Sequence, residues 1–165
     1  MDRLLPEDID ALARRVVAAN AAAGRKVAVA ESCTGGLVAA ALTEVAGSSA
    51  VLERGFVTYS NEAKMELLGV PSDIIETFGA VSIACAWAMA QGALKRSHAD
   101  VAIAISGVAG PGGGTLHKPV GTVVFAKVIR GAEKNPEGEL KSFGDLGRAE
   151  IRRQATLCAL DLLLP

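Results

Sequence analysis

Aromatic residues make up only 4% of this 165-residue chain. That is too few for the stacking platforms that hold single-stranded nucleic acid. Charge of one sign is missing as well: Lys and Arg number 17, Asp and Glu 18, and the formal net charge is −1. A generic nucleic-acid binder carries a basic excess, so that class is excluded from the expectation. Cysteine is scarce, at three residues (Cys33, Cys85 and Cys158), with no CxxC pair. A disulfide framework or a thiolate zinc site is not expected, and no metal or other cofactor is assigned. No apolar run reaches about 18 residues, so no membrane span or membrane partner is expected. The start of the chain, MDRLLPEDIDALARR, is charged and lacks the apolar stretch of a secretory signal. A cytoplasmic protein is the expectation.

What is present is apolar and small. Hydrophobic residues are 50% of the chain and glycines number 18. The core must therefore come from Ala, Val, Leu and Ile, with several tight backbone turns. Ile9, Leu12, Ala13, Val16 and Val17 form one stripe at helical spacing, predicting a helix over 6–23 that Gly24 stops. Strands are predicted over 26–30 (KVAVA), 51–59, 101–106 (VAIAIS), 120–128 and 139–143. Between them fall helices over 36–45, 61–68, a turn from Pro71 to Gly79, and 82–96. The 82–96 helix is capped by Ser82, with Ile83, Ala86, Trp87, Ala90 and Leu94 inward. A last helix is capped by Asp145, with Ile151, Ala155, Cys158, Ala159 and Leu162 inward. Helices alternating with strands predict one α/β domain over 1–165, three layers α/β/α around a mixed sheet.

Four segments carry chemistry. In Ala30–Glu31–Ser32–Cys33–Thr34–Gly35–Gly36 a buried strand enters a tight turn and then a helix. Backbone N–H groups after Ser32, with the helix dipole, suit a developing oxyanion. Ser32 and Thr34 would otherwise simply cap the helix, and Cys33 is a competing nucleophile. The segment is neither GxSxG nor SxxK. A serine needs a base, and the two histidines, His98 and His117, have no evident orienting carboxylate. Lys64 is a better candidate, five residues after Tyr59 across a strand-to-helix junction; desolvation there would depress its pKa. The bland alternative is a solvated Lys64 paired with an acid, and a packed Tyr59. Ser106–Gly107–Val108–Ala109–Gly110–Pro111–Gly112–Gly113–Gly114 follows a central strand and is either an anion-binding nest or a plain loop. It is neither a Walker A loop nor GxGxxG. Arg148, Arg152 and Arg153 sit at the start of the last helix, where cations oppose the dipole. An anionic ligand would resolve that mismatch; so would salt bridges with Glu150, Glu139 or Asp145.

AESCTGG, AGSS (46–49), ERGFVTYSNEAK, GAVS (79–82), ISGVAGPGGGT and KPVGTV together resemble the C-terminal domain family of competence/damage-inducible protein CinA. The likeness runs from about Leu12 to Leu163 and is strongest to the standalone nicotinamide-nucleotide amidohydrolase type, without the extra N-terminal domain of larger relatives. The resemblance implies hydrolysis of the carboxamide of nicotinamide mononucleotide (NMN), giving nicotinate mononucleotide and ammonia, without metal. It implies a Ser32 nucleophile and a Lys64 base helped by Tyr59, with the 33–36 turn (Cys33, Thr34, Gly35, Gly36) holding the oxyanion. Substrate contacts are implied for Ser48, Ser49, Asn61, Ser106, Gly107, Gly110, Gly112, Gly113, Arg148 and Arg152, and a homo-oligomer is expected. A domain that binds the nucleotide without turning it over is the alternative from a different class.

Overall fold

The computed structural model describes residues 2–165. In chain order the elements are α1 (Glu7–Ala22), β1 (Val27–Glu31), α2 (Leu37–Thr43), a short 3-10 turn (Ser48–Ala50), β2 (Leu52–Val57), α3 (Asn61–Leu68), α4 (Ser72–Phe78), α5 (Ile83–Lys95), β3 (Val101–Gly107), β4 (Thr122–Ile129), β5 (Glu137–Ser142) and α6 (Arg148–Leu162). The sheet order is β2-β1-β3-β4-β5. β2, β1 and β3 run parallel; β4 is antiparallel to β3, and β5 is antiparallel to β4. This is the expected mixed sheet within an α/β/α sandwich.

The strand sequences decide what covers each face. Side chains alternate sides along a strand. Val27, Val29, Val101, Ile103, Ile105, Val123 and Phe125 enter one core with α1, α2 and α6. Ala28, Ala30, Ala102, Ala104 and Ala126 enter the other with α3 and α5. In β1 and β3 the branched residues take one face and the alanines the other, which lets α5 approach the second face closely. Gly92 of α5 marks the tightest point: a Cβ built there would sit 1.9 Å from the carbonyl oxygen of Leu68 in α3. Gly92→Ala is expected to destabilise the protein by about 1–3 kcal/mol through overpacking, measured by urea unfolding. Because Leu68 is one turn beyond Lys64, it should also lower activity.

β1 is the centre of the topology. The chain leaves it through α2 on one face to β2, then crosses on the other face through α3, α4 and α5 to β3. The two crossovers part between β1 and β3. A crevice outside the C-terminal ends of these strands is where open α/β sheets place ligands.

Several sequence expectations are corrected. Ile83 and Trp87 are not inward; they are 44% and 37% exposed, while Cys85, Met89 and Ala93 take the buried face with Ala86, Ala90 and Leu94. The alanine face of the sheet selects the narrow side of α5, and the bulky side turns out. Asp145 does not cap α6. Gly147 holds that position with φ 92°, and no side chain caps it. Leu160 and Thr156 are buried in α6, whereas Cys158 and Leu162 are only half-buried. β4 starts at Thr122 rather than Val120, since Gly121 turns with φ 96° against the backbone of Gly144.

Candidate active site

Ser32 follows the last residue of β1 at the carboxyl edge of the sheet, and its N–H donates to the Ile105 carbonyl of β3 at 2.9 Å. β2 ends beside it, with the Thr58 N–H on the Glu31 carbonyl at 2.8 Å. The chain then turns into α3, capped by the Ser60 hydroxyl, which accepts from the Ala63 N–H. One turn into α3, Lys64 points back under this junction and is 1% exposed. Its Nζ lies 3.0 Å from Ser32 Oγ. It also reaches the carbonyls of Thr58 (3.0 Å), Tyr59 (3.3 Å) and Ser60 (3.5 Å).

Among the described residues no carboxylate pairs with Lys64. Burial pushes its pKa below the usual lysine value, opposed by Cys85 and Cys33. A neutral amine has two N–H bonds and one lone pair. In the neutral form, with its N–H bonds on the Thr58 and Tyr59 carbonyls, the amine would turn its lone pair to the Ser32 hydroxyl 3.0 Å away. This spacing is within the reach that proton transfer between a hydroxyl and a base requires. The competing nucleophile is set aside by its environment: burial pushes the Cys33 thiol up to about 11, so it stays protonated at neutral pH. His98 and His117 are exposed and line no part of this site.

The turn after Ser32 is tightly built. Gly35 (φ 58°) and Gly36 (φ 104°) take left-handed conformations open to glycine. Sequence reasoning missed Glu31. It is fully buried, and its carboxylate accepts from the Val38 N–H (3.0 Å) and the Ala39 N–H (3.1 Å) at the start of α2. The helix dipole is thus met by Glu31, not left for a ligand. An acid one residue before Ser32 and six before the helix was the available signal. The N–H groups of Cys33 and Thr34 have no acceptor among the described residues. Thr34 Oγ1 is buried without a partner, so it does not cap α2.

A cavity of about 210 Å³ opens over the pair, lined by Ser32, Cys33, Tyr59, Asn61, Lys64, Ala80, Val81, Ser106, Gly107, Ala109 and Arg148. Ala80, Val81 and Ala109 were not singled out from the sequence as site residues. Arg148 donates to the Gly110 carbonyl at 2.7 Å and to the Tyr59 hydroxyl at 3.0 Å. Tyr59 therefore meets Lys64 through its carbonyl and Arg148 through its hydroxyl. Gly112 and Gly113 line a separate shallow cleft of about 520 Å³ with Gly144 and Asp145. Thr34, Gly35, Gly36 and Arg152 stand outside the cavity lining. Ser48 and Ser49 lie just before β2, whose first residues pair with the start of β1, at the opposite end of the sheet from Ser32. Of the three arginines, Arg153 takes the salt bridges, with Glu150 (2.9 Å) and Asp8. No group of three His, Cys, Asp or Glu side chains gathers at one point among the described residues.

The sequence profile of the CinA C-terminal domain matches residues 9–165. The chain belongs to that family. The CinA-like protein of Mycobacterium marinum is 50% identical over 165 residues, covering 98% of this chain and 37% of that protein. The chain spans from 26% to 37% of the length of the larger curated relatives it matches. The nicotinamide-nucleotide amidohydrolase PncC of Escherichia coli is 51% identical over 152 residues, covering 92% of this chain and 90% of that one. The crystal structure of competence/damage inducible protein CihA from Agrobacterium tumefaciens superposes with a TM-score of 0.93 at 52% identity, covering 97% and 96% of the two chains. No helix among the described residues is long and apolar enough to cross a membrane.

Proposed function

We propose that this chain is an amidohydrolase that converts NMN to nicotinate mononucleotide and ammonia. One observation carries the chemistry: a buried lysine amine with no carboxylate partner lies 3.0 Å from a serine hydroxyl at the floor of an open cavity. The name of the E. coli relative supports the substrate.

In this reading Ser32 Oγ attacks the carboxamide carbon while neutral Lys64 takes the hydroxyl proton. The N–H groups of Cys33 and Thr34 hold the oxyanion of the tetrahedral intermediate. Collapse breaks the C–N bond, and Lys64 returns the proton to departing ammonia. Water, deprotonated by Lys64, then hydrolyses the nicotinoyl ester and frees Ser32. The pyridine ring sits in the cavity against Ala80, Val81 and Ala109, beside Ser106 and Asn61. The ribose phosphate leaves toward the glycine loop, within reach of Arg148. Tyr59 acts through its backbone on Lys64 and through its hydroxyl on Arg148.

The expected result with purified protein is stoichiometric release of ammonia and nicotinate mononucleotide from NMN, followed by coupled assay and chromatography. Calorimetric binding of NMN with no ammonia formed would instead make the chain a silent nucleotide-binding domain.

A further inference from the structure

Arg152 was expected at the substrate, yet the fold gives it another task. It projects from the second turn of α6, half-buried, and is not paired with any acid among the described residues. Neighbouring Arg153 occupies Glu150 and Asp8, which leaves the Arg152 guanidinium free. Its Nε donates to the Cys33 carbonyl at 3.1 Å, and a terminal nitrogen donates to the Thr34 carbonyl at 3.4 Å. Gly35 makes room: a Cβ there would come within 3.3 Å of that nitrogen.

The consequence follows from the planar trans peptide, in which C=O and N–H point in opposite directions. The Cys33 carbonyl shares its plane with the Thr34 N–H. A guanidinium that holds the carbonyl on the α6 side turns the Thr34 N–H to the other side. Cys33 lines the cavity and Arg152 does not, so the free N–H lies on the side of the turn away from α6. From below, the Glu31 carboxylate ties the same turn to α2. We infer that Arg152 is a positioning residue that clamps the Cys33–Thr34 peptide and so presents the Thr34 N–H as an oxyanion donor beside Ser32. The inference rests on the amidase reading and refines it: Arg152 acts on transition-state stabilisation, not on the phosphate of the substrate.

Arg152→Ala and Arg152→Lys, compared with Arg148→Ala, test this with NMN and with nicotinamide riboside, which lacks the phosphate. For Arg152→Ala the expected result is a fall in kcat of roughly 10- to 100-fold on whichever of the two substrates is turned over, with KM changed by less than about threefold. Arg152→Lys should recover part of that loss. Arg148→Ala should instead raise KM for NMN more than for the riboside. Hydrogen exchange supplies a readout independent of substrate. The amides of Gly35 and Leu37 close the turn on the carbonyls of Ser32 and Thr34, and in Arg152→Ala they should exchange faster while Ile103 in β3 stays as protected as in the wild type. A loss confined to KM for NMN, unchanged exchange at Gly35 and Leu37, or faster exchange that extends to Ile103 would each overturn the clamp. A wild-type protein that releases no ammonia from either substrate would refute the amidase reading alone; the exchange comparison would still decide the clamp.

Discussion

Ser32→Ala should lower ammonia release from NMN by about 10⁴-fold while leaving the nucleotide bound. Removing a nucleophile that works together with its base costs nearly the whole chemical step, and what survives reflects binding and oxyanion stabilisation. Nothing nearby can take over the attack. Cys33 is adjacent, but burial holds its thiol near a pKa of about 11, so little thiolate exists at neutral pH. The fold should tolerate the change. The Ser32 hydroxyl has Lys64 as its side-chain partner, and Lys64 keeps the carbonyls of Thr58, Tyr59 and Ser60. The stability loss should stay within about 1 kcal/mol, the net worth of one hydrogen bond. Ammonia assay, calorimetry with NMN and urea unfolding read the three quantities separately. Retention of more than a few per cent of the wild-type rate would rule out attack by Ser32. Loss of NMN binding together with activity would point to collapse of the cavity, not to removal of a nucleophile.

The features legible in the sequence are those written in local periodicity. VAVA and VAIAI state a strand buried on both faces, and their strict alternation of branched residue and alanine anticipates two unlike cores. Glycines with Ser and Thr after β1, and the strand-to-helix junction before Lys64, mark the two turns of the candidate site. Proximity of Ser32 and Lys64 was legible only as a hypothesis. It depends on β2 pairing with β1 in a register that sets Thr58 beside Glu31, which no local pattern encodes. Side-chain roles set by carbonyls were illegible for a similar reason. Arg148 and Arg152 are one helical turn apart on α6 and look equivalent in the sequence. Yet one reaches into the cavity and the other meets the back of the Ser32 turn, because α6 packs against α2 and α1 at a fixed height. The outward rotation of Trp87 has the same character: helical spacing permits two faces for α5, and the alanine floor of the sheet selects between them.

Lys64→Met should abolish turnover, by about 10³-fold or more, and also change how stability depends on pH. The rate effect follows from loss of the base. Lys64→Arg should be equally inactive at every pH, since a guanidinium does not deprotonate in this range. In the wild type kcat/KM should climb as pH rises through the depressed pKa of Lys64 and level off above it. The stability effect has a definite sign. Burial holds the pKa of Lys64 in the folded chain below the ordinary 10.5 it has when unfolded. Between those two values the unfolded chain binds more protons, so raising the pH favours folding, by up to about 1.4 kcal/mol per pH unit. Below the folded pKa both states carry the charge and the slope vanishes; above 10.5 neither does. Lys64→Met has no such group. Its stability relative to wild type should therefore fall as pH rises toward 10.5, whichever protein is the more stable at pH 7. The thiols of Cys33 and Cys85, both held protonated by burial, pull the other way at the alkaline end, and both proteins contain them. Urea unfolding at intervals from pH 7 to 10 measures the difference directly. Parallel curves would mean that Lys64 keeps its proton inside the fold, and an amine that never loses its proton cannot activate Ser32.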